Sequence, residues 1–250
     1  MSPHAARAAR STVYDSLRPG RARLNVDFLY EIAEALGGTV ADVDQWVRDA
    51  HRAPADELAA APPTLRQALV LATACIAANL VGRVMVDVLH LPIYLDMVGT
   101  AIAAVALGPW RGAAVGATTN VVGAVGSGWV SIPFALVNVA GALVWGYGAR
   151  RLRMVRTLPR FLLLNVLVAT TCTLVAVPIL VVVFGGSVGQ GQDFITQTFL
   201  DLGNGLVAAV GFSNLVTSMG DKVISGFIAL VVISSLPAAF RVGVEWVRIP

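Results

Sequence analysis

Charge is scarce in this sequence. Of 250 residues, 18 are Lys or Arg and 15 are Asp or Glu, 13% in all, where ordinary soluble domains carry roughly 25%. The shortage is uneven. Before Ala61 charges are frequent and mixed, and after Leu65 they occur only in short clusters between apolar runs. A water-soluble core does not need runs that long and that poor in charge. Two bodies are therefore expected: a small soluble helical segment over 1–62 and a membrane domain over 63–250. Cysteine is nearly missing. Cys75 and Cys172 lie inside apolar runs without metal-ligand spacing, and read as small buried hydrophobes. His4, His51 and His90 are scattered, so neither a metal site nor a cofactor is expected. The chain has no phosphate-binding loop of the GxxxxGK[ST] type, so any use of ATP belongs to a partner. A Ser/His/Asp set would need residues on opposite sides of a membrane, and no enzymatic activity is expected. The start, MSPHAARAARSTVYDSLRPGR, has no apolar core of a signal peptide, which leaves the N-terminus in the cytoplasm.

What is abundant is apolar surface: 56% of residues are hydrophobic, and the mean hydropathy is +0.74. The apolar runs predict an all-α fold, a six-helix transmembrane bundle with spans over 65–86, 91–107, 110–125, 132–148, 161–184 and 223–240. The second and third are at the short end of the roughly 17–25 residues a span needs. Residues 192–220 are moderately apolar and rich in glycine, and carry Asp193, Asp201, Asn204 and Asn214. They read as a long loop with one or two surface helices, with a seventh span as the alternative. Charge placement favours six. The excess of basic residues sits in one connection, at Arg150, Arg151, Arg153, Arg156 and Arg160. With six spans, that loop, Arg66, Arg111, Arg241 and Arg248 share the cytoplasmic side, while Asp96, Asp193, Asp201, Asp221 and Lys222 lie outside, as the positive-inside rule favours. The expected location is the cell membrane, multi-pass, with both termini cytoplasmic.

Small residues recur at helical spacing. Ala68, Ala72, Ala74 and Ala78 mark the first span and Gly112 and Gly116 the third. Such pairs let helix backbones approach closely, either within this chain or against a second membrane protein. Polar residues gather toward the outer half: Asn79, Asp96, Asn120, Trp129 and Asn138, with Asn204 and Asn214 in the long loop. Polar groups at membrane depth face a cavity or a partner, so these seven are the candidate substrate-binding residues, with interhelical hydrogen bonding as the other role open to each asparagine. Trp110, Trp129 and Trp145 read as interface anchors or pocket walls.

The N-terminal segment predicts short helices. Ser11 or Thr12 caps the first, Asn25 the second and Thr39 the third, and a Pro/Ala linker follows over 53–63. STVYDSLRPGRARLN with the two helices after it resembles the back half of a Cro/repressor-type helix-turn-helix domain. That resemblance implies a recognition helix opening at Thr12 and Tyr14, with Arg18 and Arg21 placed for phosphate. The front half has no counterpart beyond MSPHAARAAR, so nucleic acid is not the expected partner.

Residues 91–148 resemble the substrate-binding S components of energy-coupling factor (ECF) transporters. The shared features are a proline-containing entry, a Gly/Ala-rich span, a GPxxG turn at Gly108, Pro109 and Gly112, and a glycine-rich span. GDKVISGFIALVVISSLP, 220–237, is similar to that family's last span, and the alanines of the first span match a family trait. The resemblance implies six helices, an outward pocket for a vitamin or related micronutrient, and docking through Ala68, Ala72, Ala74 and Ala78 onto a transmembrane coupling subunit driven by two ATPase subunits. It does not carry over the ligand. A second reading is a membrane-bound ligand sensor signalling through the helix-turn-helix segment. A third, a self-sufficient channel or carrier, calls for inverted repeats and midplane charges that the sequence does not clearly display.

Overall fold

The structure, a computed structural model, describes residues 39–41, 44, 45, 61–189 and 192–244. The chain forms two compact units, Met1–Ala60 and Ala61–Pro250. In the first, residues 40, 41, 44 and 45 are helical, within the helix expected after Thr39. The helix-turn-helix-like segment, with Thr12, Tyr14, Arg18 and Arg21, lies outside the described residues.

Among its described residues the second unit is helical and has no strand. Its elements are α1 Leu65–Leu89, α2 Val98–Ala106, α3 Pro109–Ser127, α4 Ala135–Arg150, α5 Leu158–Pro178, α6 Gln192–Asp201 and α7 Leu206–Ser235. Three are long and apolar enough to cross a membrane: α1, α5 with its continuation to Val183, and α7, at 25, 26 and 30 residues. At about 1.5 Å per residue each exceeds a hydrocarbon core of roughly 30 Å.

Local chemistry sets the boundaries. Thr64 opens α1 with a reciprocal cap: its hydroxyl accepts from the Gln67 N–H at 3.3 Å, and the Gln67 side chain accepts from the Thr64 N–H at 2.9 Å, which satisfies two orphan donors. Gly108 (φ 107°) makes the turn into α3, where Pro109 takes a first-turn position and needs no hydrogen-bond acceptor. Pro178 removes a backbone donor late in α5, and the helix widens into a π-turn over Ile179–Val183.

The short helix α2 is the centre of the unit. It packs against α1, α3, α4 and α7, and every residue from Gly99 to Ala106 is buried. Four neighbours around one helix favour small side chains, which explains its Gly, Thr and Ala content; Ile102 and Val105 are its larger buried residues. At Gly112 of α3 an added Cβ would lie 2.4 Å from the Ala104 Cα of α2, so the GPxxG turn has a packing reason: its second glycine lets α3 lie directly on α2.

Two predicted segments differ from the observed elements. The span expected over 91–107 is helical only from Val98 to Ala106. Residues 91–97 run irregularly because Pro92 interrupts helical hydrogen bonding and Leu95 adopts a left-handed conformation (φ 48°). Of the long loop with one or two helices expected over 192–220, residues 192–201 form the helix α6, while 206–220 are the first half of α7, so the last helix begins at Leu206 rather than Val223. Its polar residues Ser213, Asn214, Thr217, Ser218, Asp221, Lys222 and Ser225 recur at spacings of one, three and four, and all are buried. Outward-facing Val207, Phe212, Val216 and Ile224 are exposed. The helix is amphipathic with its polar face inward, and its polar composition reads as a loop only when that periodicity is ignored.

Candidate functional site

A cavity of about 430 Å3 opens at one end of the bundle. Its walls come from the C-terminal halves of α1, α3 and α5, the N-terminal halves of α4 and α7, and the 91–97 segment. The volume falls within the roughly 300–1,000 Å3 of small-molecule sites.

Hydrogen bonds that cross between helices fix the floor. Asn79 of α1 donates to the Thr100 hydroxyl (2.9 Å) and the Thr119 hydroxyl (3.0 Å), and accepts from the Gly99 N–H (2.7 Å). Thr100 passes the chain on to the Asn138 Oδ1 at 2.9 Å. One buried amide thus ties α1, α2 and α3 together, and the relay ends on a residue that lines the cavity. On the α3 side, Asn120 donates to the Gly116 carbonyl at 3.1 Å and accepts from the Ser131 hydroxyl at 3.3 Å. The Arg83 guanidinium in turn donates to the Ser131 hydroxyl at 2.8 Å.

The 91–97 segment is clasped by α7. Asp221 accepts from the Leu95 N–H at 2.7 Å and the Tyr94 N–H at 3.3 Å through one carboxylate oxygen, and pairs with Lys222 through the other. Both members of the pair are almost completely buried. The Lys222 ammonium also lies 5.6 Å from the centre of the Tyr94 ring, within cation–π range. Tyr94 reaches further: its hydroxyl hydrogen-bonds Gln192 of α6, and Asn214 of α7 donates to it at 2.9 Å. Segment 91–97, α6 and α7 are therefore joined around one phenol. An isolated buried charge would be costly; here Asp221 and Lys222 neutralise each other, and backbone donors take up the remaining acceptor capacity.

The seven predicted binding residues divide four to three. Asp96, Asn120, Asn138 and Asn214 line the cavity, and Asn79, Trp129 and Asn204 do not. Asn79 supports the floor from within the core. Trp129 is exposed and packs against Phe184, with ring centroids 5.2 Å apart. Asn204 donates to the Phe199 carbonyl at 2.9 Å and closes the turn after α6. Asp221 and Lys222, expected outside the membrane ahead of the last span, lie in the middle of α7. Trp145 does not border this cavity: it is buried in the core, beside a small apolar void, and donates to Asn165 at 3.0 Å. Cys75 and Cys172 are free and buried, and Cys172 borders the cavity.

The alanines of α1 do not share one exposed face. Ala68 is buried in the unit's own core, Ala72 and Ala78 are half-buried, and Ala74 is exposed.

Sequence reasoning passed over several lining residues, among them Arg83, Asp87, Tyr94, Gln192, Ser218 and Lys222. A signal existed for two of these. Asn79, Arg83 and Asp87 follow one another at intervals of four and form a polar stripe on an otherwise apolar helix. Tyr94 and Gln192 meet only through the tertiary fold and leave no local trace. No group of His, Cys, Asp or Glu among the described residues is placed to hold a metal ion. No family model, curated protein or solved structure gives a significant match to this chain.

Proposed function

We propose that the chain is a membrane-embedded binding subunit. It captures a vitamin-like micronutrient from outside the cell for ATP-driven uptake by an ECF-type transporter. The observation that carries this reading is the cavity: a small-molecule volume bordered by fixed amides and charges, built from helices that also include membrane-length apolar segments. The distribution of charge supports the orientation. Arg66, Arg111 and the arginines from Arg150 to Arg160 lie at the helix ends opposite the cavity, as a cytoplasmic face requires. The cavity then opens outward. In this reading α1, α3, α4, α5, α7 and the short α2 with its 91–97 approach make up a six-helix bundle with both termini cytoplasmic. The shortness of α2 and α4, at 9 and 16 residues, fits a bundle in which some helices do not cross the full bilayer. The partners are a transmembrane coupling subunit and two ATPase subunits, met through the exposed side of α1 that carries Ala74.

The test is extraction from native membranes in mild detergent, followed by affinity purification and mass spectrometry of the intact assembly. The expected result is co-purification with one membrane partner and two nucleotide-binding subunits. A chain that comes out alone, and whose loss leaves uptake of every vitamin unchanged, contradicts the transporter reading.

A further inference from the structure

We propose that the cavity selects a zwitterion: a ligand of no net charge that presents an anionic group to Arg83 and a protonated amine or similar cation to Asp96. This rests on the reading of the cavity as a ligand site and specifies what the site takes.

The inference follows from which wall groups already have partners. Lys222 is paired with Asp221. Tyr94, Gln192 and the Asn214 amide nitrogen bond to one another, which leaves the buried Asn214 Oδ1 as a neutral acceptor for the ligand. Asn120 has Gly116 and Ser131, and Asn138 has Thr100. Two charges are left over. Arg83 spends one of its five donors on Ser131, and it forms no ion pair with a described acidic residue. Asp96 has neither an ion pair nor a side-chain hydrogen bond to another described residue. Both are half-buried on the cavity wall. They do not pair with each other; the charge of Lys222, itself paired with Asp221, acts on Asp96 more strongly than that of Arg83 but makes no direct contact with it. Asp87 and His90 border the mouth but are exposed, so water screens them.

Closing the cavity over a ligand removes water from Arg83 and Asp96 together. A purely anionic ligand would leave Asp96 desolvated and uncompensated, a purely cationic one would do the same to Arg83, and a neutral one would strand both. A zwitterion satisfies both. The guanidinium is also held in place. A Cβ built on Gly123 of α3 would lie 2.4 Å from an Arg83 guanidinium nitrogen, so the arginine packs over a bare glycine.

The test uses the full chain in detergent and the low-molecular-weight part of yeast extract. Ion exchange separates the extract into anionic, cationic, zwitterionic and uncharged pools, and each is scored by the shift it causes in unfolding temperature. The zwitterionic pool is expected to stabilise the wild type. Arg83→Gln and Asp96→Asn are each expected to weaken that stabilisation at least tenfold in effective concentration. Their residual preferences should move in opposite directions: Arg83→Gln toward the cationic pool, Asp96→Asn toward the anionic pool. A purely structural role for either residue would not produce that exchange. Gly123→Ala, which displaces the guanidinium, should behave like Arg83→Gln. Stabilisation of the wild type by an anionic, cationic or uncharged pool alone overturns the zwitterion and leaves the binding reading intact. No stabilisation by any pool overturns both.

Discussion

The two ends of the helical unit are built differently. At the arginine-rich end, backbone meets backbone: α3 lies on α2 at Gly112, and a Cβ on Gly146 of α4 would come within 2.5 Å of the Pro109 Cα. Arg150 closes this end by donating to the last carbonyls of α2, Val105 at 3.0 Å and Ala106 at 2.6 Å. These acceptors would otherwise be orphaned at a helix C-terminus. At the other end the helices stand apart around about 430 Å3 of space; Gly82 of α1 still lies against the Leu95 backbone, where a Cβ would come within 2.2 Å of the carbonyl oxygen, but the cavity itself is bordered by side-chain contacts: an ion pair, a phenol and several amides. One end uses small residues and van der Waals contact, the usual cement between helices in lipid. The other uses polar groups that cost free energy unless each is satisfied. The difference separates an end closed by backbone packing from an end that keeps a cavity.

Substitutions at the two ends should fail in different ways. The largest effect is expected for Asp221→Ala, which leaves Lys222 buried without its partner. A loss of about 3–5 kcal/mol is expected, measured by detergent-denaturant unfolding followed by circular dichroism. The double variant Asp221→Ala/Lys222→Met should recover much of that loss, because no uncompensated charge remains. No recovery would mean that the clasp on the Tyr94 and Leu95 amides, rather than charge neutralisation, is the main contribution of the pair. Gly112→Val comes next. It forces α3 away from α2 and should destabilise by about 1–3 kcal/mol through overpacking, lowering the unfolding temperature equally with and without ligand. Asn79→Ala strands the Gly99 N–H and loosens the floor at a cost of about 1–3 kcal/mol. The smallest effect belongs to Tyr94→Phe, which removes the hydroxyl shared by Gln192 and Asn214. A stability loss of about 1 kcal/mol should accompany faster ligand dissociation, seen in surface-immobilised protein. Unchanged dissociation would remove the phenol from any part in retaining the ligand.

Much of the closed end was legible in the sequence. The GPxxG turn, the alanine-rich run that became α2 and the arginine cluster are local signals. Each has a local cause: a turn that needs positive φ, a helix crowded on four sides, a connection that gathers like charges. The open end was harder to read. Four of seven proposed residues reached the cavity, because polarity inside an apolar run marks burial against something without saying what. For Asn79 that something was Thr100, Thr119 and the Gly99 amide rather than a ligand. The stretch over 192–220 was misread for a related reason. Its serines, asparagines and threonines lower the mean hydropathy as a loop does, while the helical spacing of Ser213, Asn214, Thr217 and Ser218, visible when position is weighed along with composition, turns those four inward. Tyr94, Gln192 and Asp221 are far apart in the chain, and only the folded structure shows that they meet.

The central claim is that the open end holds a small molecule. Its most direct test is native mass spectrometry of the gently extracted protein beside a Val86→Trp variant, in which a bulky ring on α1 occupies space that Val86 leaves free on the cavity wall. The account predicts a discrete small-molecule adduct on the wild type that is absent from the variant, at equal folded yield. A wild type that carries no adduct even after incubation with a vitamin mixture, or an adduct that persists unchanged in Val86→Trp, would contradict it.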